Sequence, residues 1–258
     1  MIHMTTYIHT RPERIIIFTM YLFVAGAIVF PVAFRKSLPL QKNILYLSFD
    51  DGPSAGTPFI DSIARADSVP VNVFIIGSLV FKNDSTYGLY TLYQRNPMVE
   101  MGNHSFTHAD YKYRLYYKNV PRVVEDFSRN DSLLQLHTRI ARLPGRNAWH
   151  IKDRYAYDLP DAKGSADSLY NNGYRVFGWD MEWKGDTGIN GAVQAADVIL
   201  RRLERIEKNK LAFTPGHIVI LCHDSLFRSA RAVRELGLFI NKAKKLWRFD
   251  TLGNYPGE

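Results

Sequence analysis

Two short strings carry the chemistry open to this sequence. Phe49-Asp50-Asp51-Gly52-Pro53 ends an apolar run with adjacent carboxylates in a turn, and His104-Ser105-Phe106-Thr107-His108 sets two imidazoles four residues apart. At that spacing one helical turn would aim both imidazoles at a common point. A carboxylate and two histidines make a facial metal site with open positions for water and substrate, and the second aspartate is left free to handle a proton. Magnitudes require the two strings to act together. An unperturbed Asp titrates near pKa ~3.9 and bulk water near ~15.7, a gap of roughly 12 units or about 16 kcal/mol. A zinc-like cation brings water to about pKa 7, which removes about 12 kcal/mol of that gap. The pattern is that of a metal-assisted hydrolase.

The elements that must position these strings alternate. Short apolar runs at 44–49, 71–76, 98–102, 140–143, 174–179, 218–222 and 247–251 read as strands. Helical patterns lie between them, at about 58–67, 85–95, 117–137, 166–172, 192–208 and 229–245. Strand–helix alternation calls for an α/β fold with a parallel sheet covered by helices, and residues 40–254 read as one domain. Asp50 and Asp51, His104, Arg142, Asp180 with Glu182, and His223 each fall at or just beyond the C-terminal end of a predicted strand. In parallel barrels and open α/β sheets that edge is where ligands bind. Singly, each residue has a structural alternative: Asp-Gly-Pro is a turn formula, Arg142 could serve an ion pair, and Trp183 could be plain core. Their joint placement on one rim argues for a single active site.

At 258 residues the chain can bury the core of a barrel-sized domain. Its 46% hydrophobic and 13% aromatic content is globular and excludes long disorder. Part of the net charge of +8 comes from Arg11, Arg14, Arg35 and Lys36, which flank an apolar stretch. Much of the remainder mixes with glutamates on helical faces, so no nucleic-acid partner is expected. The single cysteine, Cys222, excludes an internal disulfide and reads as a small buried strand residue. Residues 15–34 are nearly unbroken apolar; as a helix they would rise about 30 Å, the thickness of a bilayer core. Residues 1–36 are therefore expected to form a membrane anchor with a transmembrane helix, a cleaved signal segment being the alternative.

Leu47-Ser48-Phe49-Asp50-Asp51-Gly52-Pro53 resembles the T-F-D-D-G-P motif of the polysaccharide deacetylases, the NodB-homology domain of carbohydrate esterase family 4. His104 to His108 is similar to that family's H-[ST]-x-x-H, Val73-Phe74-Ile75-Ile76-Gly77 to its T-F-F-x-x-G, Arg142-Leu143-Pro144-Gly145 to R-x-P-Y, and Leu221-Cys222-His223-Asp224 to L-x-H. The resemblance spans about 43–225 with the motifs in order. It implies a distorted (β/α) barrel, usually of seven strands. It implies that Asp51, His104 and His108 hold a divalent metal ion, Zn²⁺ by preference with Co²⁺, Ni²⁺ or Mn²⁺ as alternatives. Asp50 would be the general base, Arg142 the group that holds Asp50 ionised, and His223 the general acid. The resemblance gives Trp183 and Leu221 to the acetyl pocket.

Two departures bear on the substrate. Gly145 stands where the family usually has Tyr, so an aromatic wall is expected to be missing while the backbone N–H survives for an oxyanion. The fourth motif, usually D-x-x-D-W, is here Trp179-Asp180-Met181-Glu182-Trp183, so either Asp180 or Glu182 would tune His223. The expected activity is removal of N-acetyl groups from an amino-sugar glycan, peptidoglycan-like or chitin-like, outside the cytoplasm. The alternatives are an amidase acting on a lipid-linked sugar or another C–N amide, and a catalytically silent, carbohydrate-binding NodB-like module.

Overall fold

The computed structural model describes residues 43–185 and 193–257; the expected anchor over 15–34, with the segment 1–36, lies outside them. Among the described residues no helix is long and apolar enough to cross a membrane. The described residues form ten strands: β1 (Ile44–Gly52), β2 (Val71–Ile75), β3 (Val99–Asn103), β4 (Ile140–Ala141), β5 (Ala148–Ile151), β6 (Arg154–Tyr157), β7 (Arg175–Val176), β8 (Met181–Glu182), β9 (His217–His223) and β10 (Arg248–Phe249). Six longer helices, Thr57–Ala66, Asp84–Gln94, Val120–Leu134, Ala162–Asn171, Ala196–Lys208 and Ala230–Ala243, lie between or after them. All seven predicted strands and all six predicted helices are present, with ends shifted by a few residues. The hairpin β5–β6 and the two-residue β8 are additions. Their runs are short, and the hairpin turns through Lys152 at φ 53° rather than through a glycine or asparagine signal.

Strand β1 shows how side-chain parity loads the sheet. Successive residues of a strand point to opposite faces. Leu45, Leu47 and Phe49 pack outward with the helices flanking β1, while Ile44 and Tyr46 pack inward with Phe74, Trp149, Phe177 and Tyr255. The inward row then turns polar at Ser48 and Asp50, both buried. Strand β9 repeats the design, with Ile218, Ile220 and Cys222 outward and Val219 inward. Its pairing sets Asp50 level with His223. An interior that is apolar at the N-terminal end and polar at the C-terminal end delivers the ionisable groups to one rim.

The sheet runs β6-β5-β7-β4-β3-β2-β1-β9-β8, with β10 also on β1. All pairings except β5–β6 and β5–β7 are parallel. The end strands β6 and β8 do not pair with each other in this order, so the sheet is a curled half-barrel, in keeping with the distorted (β/α) barrel expected, with ten strands among the described residues in place of the usual seven. Side chains bridge the opening. Trp149 of β5 stacks on Phe213 at 4.3 Å and 12°, Arg154 of β6 donates to Thr214 Oγ1 at 2.7 Å, and Tyr255 Oη donates to the same oxygen at 2.7 Å. An antiparallel hairpin at one edge and a two-residue strand at the other leave too little backbone for a ladder, and aromatic stacking takes its place.

Close approach of β2 and β3 depends on Gly102, where an added Cβ would lie 2.8 Å from the Phe74 ring. Gly102→Ala should therefore destabilise the fold by about 1–3 kcal/mol through overpacking, read as a lower denaturant midpoint; an unchanged midpoint would mean that Phe74 yields freely.

Candidate active site

Asp50 ends the inward row of β1, and Arg142, just past β4, meets it there. The fully buried guanidinium donates from Nη1 to Asp50 Oδ1 and to Ser48 Oγ, each at 2.8 Å. It also donates from Nε to the Phe177 carbonyl at 3.1 Å and from Nη2 to that of Gly178 at 2.9 Å. Burial pulls Arg142 below its ordinary pKa while the Asp50 carboxylate opposes that shift. Asp50 is thus held by one oxygen, and the other, Oδ2, lies 3.7 Å from His104 Nε2.

The histidine string is not a helical turn. His104 follows β3, and Ser105, His108, Ala109, Asp110 and Tyr111 all have positive φ, between 48° and 62°. An irregular turn, with Ser105 and His108 themselves in the left-handed region, brings the second imidazole round in place of the expected helical turn. Helix Val120–Leu134 holds this loop with two buried polar side chains. Asp126 accepts from Thr107 N, Thr107 Oγ1 and Tyr116 Oη. Asn130 Nδ2 donates to Asn103 Oδ1, which also accepts from Ser105 N.

Asp51 Oδ1 lies 3.3 Å from His104 Nε2 and 3.1 Å from His108 Nε2. Burial raises the Asp51 pKa, but the two imidazoles outweigh it and hold the carboxyl well below the usual carboxylate range. Burial pulls His104 down, and the charges of Asp50 and Asp51 more than reverse this. His104 Nδ1–H donates to the Arg142 carbonyl at 2.9 Å. A carbonyl can only accept, so Nδ1 carries a proton, and in the neutral ring the lone pair of Nε2 faces Asp51. Asp51 Oδ1 is buried without a hydrogen bond. Lone pairs converging on a space without a donor fit a cation. Ligands about 2.1 Å from one tetrahedral ion stand about 3.4 Å apart, close to the separations seen, and the ligand atoms of Asp51, His104 and His108 all lie within 4.8 Å of one another. Two imidazoles and a carboxylate suit Zn²⁺ and its neighbours among the divalent transition metals.

These residues line a solvent-open cavity of about 230 Å³ together with Tyr113, Gly145, Asp158, Trp179, Glu182, Leu221 and His223. His223 Nε2 is 4.0 Å from Asp51 Oδ2. Gly145 has φ 62°, and a Cβ there would lie 3.1 Å from the Tyr113 ring. The aromatic wall expected to be missing is supplied by Tyr113, whose ring also stands edge-on to His108, centroids 5.7 Å apart at 86°. Burial, with Asp51 nearby, pushes the Tyr113 phenol up to about 12, so it stays neutral.

Two expected site residues fall elsewhere. Trp183 has the parity of Met181 and points outward, packed on Phe227 and Phe239 and donating to the Gln194 carbonyl at 2.9 Å; it is core and not pocket. Asp180 accepts from Phe213 N at 2.6 Å and Val219 N at 2.8 Å. Val219 lies four residues before His223, about 13 Å along a strand, so Asp180 is a structural acceptor below the site. Glu182 pairs with Leu221, higher on β9, and reaches the pocket, where its Oε2 lies 3.3 Å from Lys184 Nζ. Ser48, Tyr113, Asp158 and Trp179 were not singled out as site residues. Parity from Asp50 would have found Ser48; Tyr113, at the start of a short helix (Tyr113–Tyr116), and Asp158, in a loop, sit on stretches whose paths the sequence does not reveal. Cys222 is buried outward, and burial pushes its thiol up, as expected for an inert side chain.

Comparison with known proteins agrees with this picture. Residues 38–146 match the polysaccharide deacetylase family model. The match spans less than half of this chain, which over that stretch is similar to the polysaccharide deacetylases. Its fold is similar to that of a Streptococcus mutans carbohydrate esterase of family 4, with a TM-score of 0.61 at 21% identity over 81% of this chain and 86% of that one. A Bacillus cereus polysaccharide deacetylase gives 0.57 at 19% identity, over 83% and 94%. A family 4 pseudoenzyme from Bacillus anthracis gives 0.57 at 15% identity, over 82% and 64%. No curated protein matches the chain.

The position of Asp180 carries a prediction. Burial raises its pKa to about 6, against opposing bonds from Val219 and Phe213 N–H. A carboxyl raised on folding lends stability below its unfolded pKa, and that stability is lost as pH rises through about 6. Asp180→Asn should remove this fall between about pH 4 and pH 6 in melting curves and leave kcat within about twofold of the parent. A kcat loss comparable to that of a His223 variant would return Asp180 to the catalytic set.

Proposed function

We propose that this chain is a metal-dependent hydrolase that removes N-acetyl groups from an amino-sugar glycan. The observation that carries this reading is the convergence of Asp51, His104 and His108 beside an aspartate whose one oxygen is bound by a buried arginine. Asp51 and the two histidines would hold a divalent cation, Zn²⁺ first among the candidates, which polarises the acetyl carbonyl and acidifies water when bound. Asp50, with Oδ1 held by Arg142, accepts the proton of the attacking water at Oδ2. The Gly145 backbone N–H, on the pocket wall, donates to the oxyanion that develops on the carbonyl. His223 gives its proton to the departing nitrogen, so that the sugar leaves as a neutral amine. Leu221, with Tyr113 and Trp179, supplies apolar surface for the acetyl group and sugar face. A cavity of about 230 Å³ accommodates an acetamido group with part of one ring.

The pseudoenzyme among the similar folds keeps a silent binding module in view as the second reading. Base, acid and ligand set together favour catalysis, since a binder needs no proton donor and acceptor flanking a cation site. The apolar stretch at 15–34 supports a membrane anchor with the catalytic domain outside the cytoplasm, on glycan of the envelope; a lipid-linked sugar fits the same placement.

Elemental analysis of the purified chain should find about one divalent ion, and His104→Ala should lose it; undiminished metal in that variant would remove the ligand assignment. Asp50→Asn should keep the metal and lower acetate release from acetylated glycans by about 10²- to 10⁴-fold, and an active variant would place the base elsewhere. A reporter fused after Glu258 should register outside the cytoplasm, and a cytoplasmic signal would contradict the envelope reading.

A further inference from the structure

Asp224 is a fully buried carboxylate to which the chemistry above gives no task. It follows His223 directly, at the start of a short 3₁₀ turn (Asp224–Phe227). Three hydroxyl groups donate to it: Ser54 Oγ to Oδ1 at 2.5 Å, and Thr57 Oγ1 and Tyr93 Oη to Oδ2 at 2.8 and 2.6 Å. Two of these come from the segment after Asp51, and the third from helix Asp84–Gln94. Burial raises the Asp224 pKa, and the three hydroxyls oppose this.

The backbones meet at the same point. A Cβ on Gly56 would lie 1.9 Å from the Asp224 carbonyl oxygen, and one on Gly52 would lie 3.1 Å from Asp224 Oδ2. Only glycine lets the loop after β1 close this tightly on the residue after His223. The loop that bears Asp50 and Asp51 and the loop that bears His223 are thereby tied through one carboxylate. His223 itself is about a third exposed, and its ion-pair distance to the rest of the site is the 4.0 Å approach to Asp51. A surface imidazole with so little holding its ring depends on its backbone for its place.

We propose that Asp224 is a positioning residue for the general acid, clamping the His223 loop onto the loop of the two aspartates so that the imidazole meets the leaving nitrogen. This rests on the reading of His223 as the acid. The step it serves is specific: as the C–N bond of the tetrahedral intermediate breaks, its electron pair goes to nitrogen and the His223 proton joins it, whereas a nitrophenolate leaves as a stabilised anion and needs no proton. A clamp for the acid therefore matters for amides and not for activated aryl esters, while a residue that merely supports the fold matters equally for both.

The test compares acetate release from an N-acetylated amino-sugar oligomer with hydrolysis of 4-nitrophenyl acetate by the purified full chain. Asp224→Asn should lower kcat on the amide at least tenfold, with KM and metal content unchanged and ester turnover within twofold of the parent. Tyr93→Phe, which removes one donor and keeps the ring, should shift the amide-to-ester ratio the same way by two- to fivefold, and it carries the test if Asp224→Asn does not fold. Equal losses on both substrates, or none on the amide, would overturn the clamp. His223→Ala should give the largest amide-to-ester split; if it gives none, the acid assignment falls first and the clamp with it, which separates the two failures.

Discussion

The buried guanidinium of Arg142 is the constraint on which the site is built. A charge out of water must be matched by a counter-charge and by acceptors for its N–H groups, or it costs several kcal/mol. Here the acceptors come from β1, through Ser48 and Asp50, and from the chain just beyond β7, through the Phe177 and Gly178 carbonyls. The Phe74 ring of β2 lies under the guanidinium, 4.2 Å from its carbon. Satisfying one side chain therefore draws several strands of an open sheet to a common centre. The same residue's carbonyl orients His104. Asp50 and His104 are set from a single point, which is why the carboxylate and imidazole strings can be distant in sequence and still meet within hydrogen-bond range.

Much of this was legible before any coordinates. The strands that carry the site were readable because they are apolar on both faces, as strands covered by helices must be, and because their polar residues sit at one end. Asp50, Asp51, His104, His108, Arg142 and His223 come together where the motif strings placed them. Trp183 was misassigned because an aromatic one residue from Glu182 has the opposite parity, and motif spacing carries no parity. Asp180 was misassigned because parity without depth puts it on the correct face at the wrong height. The seam was unreadable for a different reason: stacking of Trp149 on Phe213 joins residues 64 apart, and nothing local announces it.

The left-handed turns at the site complete the account. A non-glycine residue held at positive φ costs on the order of 1–3 kcal/mol, and here Asp51, Ser105 and His108 are all so held. Such a conformation lasts only where its surroundings over-determine it. For the histidine loop the surroundings are Asn103, Asp126 and Asn130, buried polar groups whose partners are mostly backbone of the strained segment or hydroxyls beside it. For Asp51 they include the glycine-lined closure on Asp224. At the histidine loop, and again at the turn after His223, a buried side chain with several donors or acceptors holds a short segment in place. The proposed cation site and the proposed acid therefore share one physical basis. Each is a group on a loop, made rigid by a polar network that is itself buried against the half-barrel, so the order of the sheet is passed to atoms that lie beyond its last hydrogen bond.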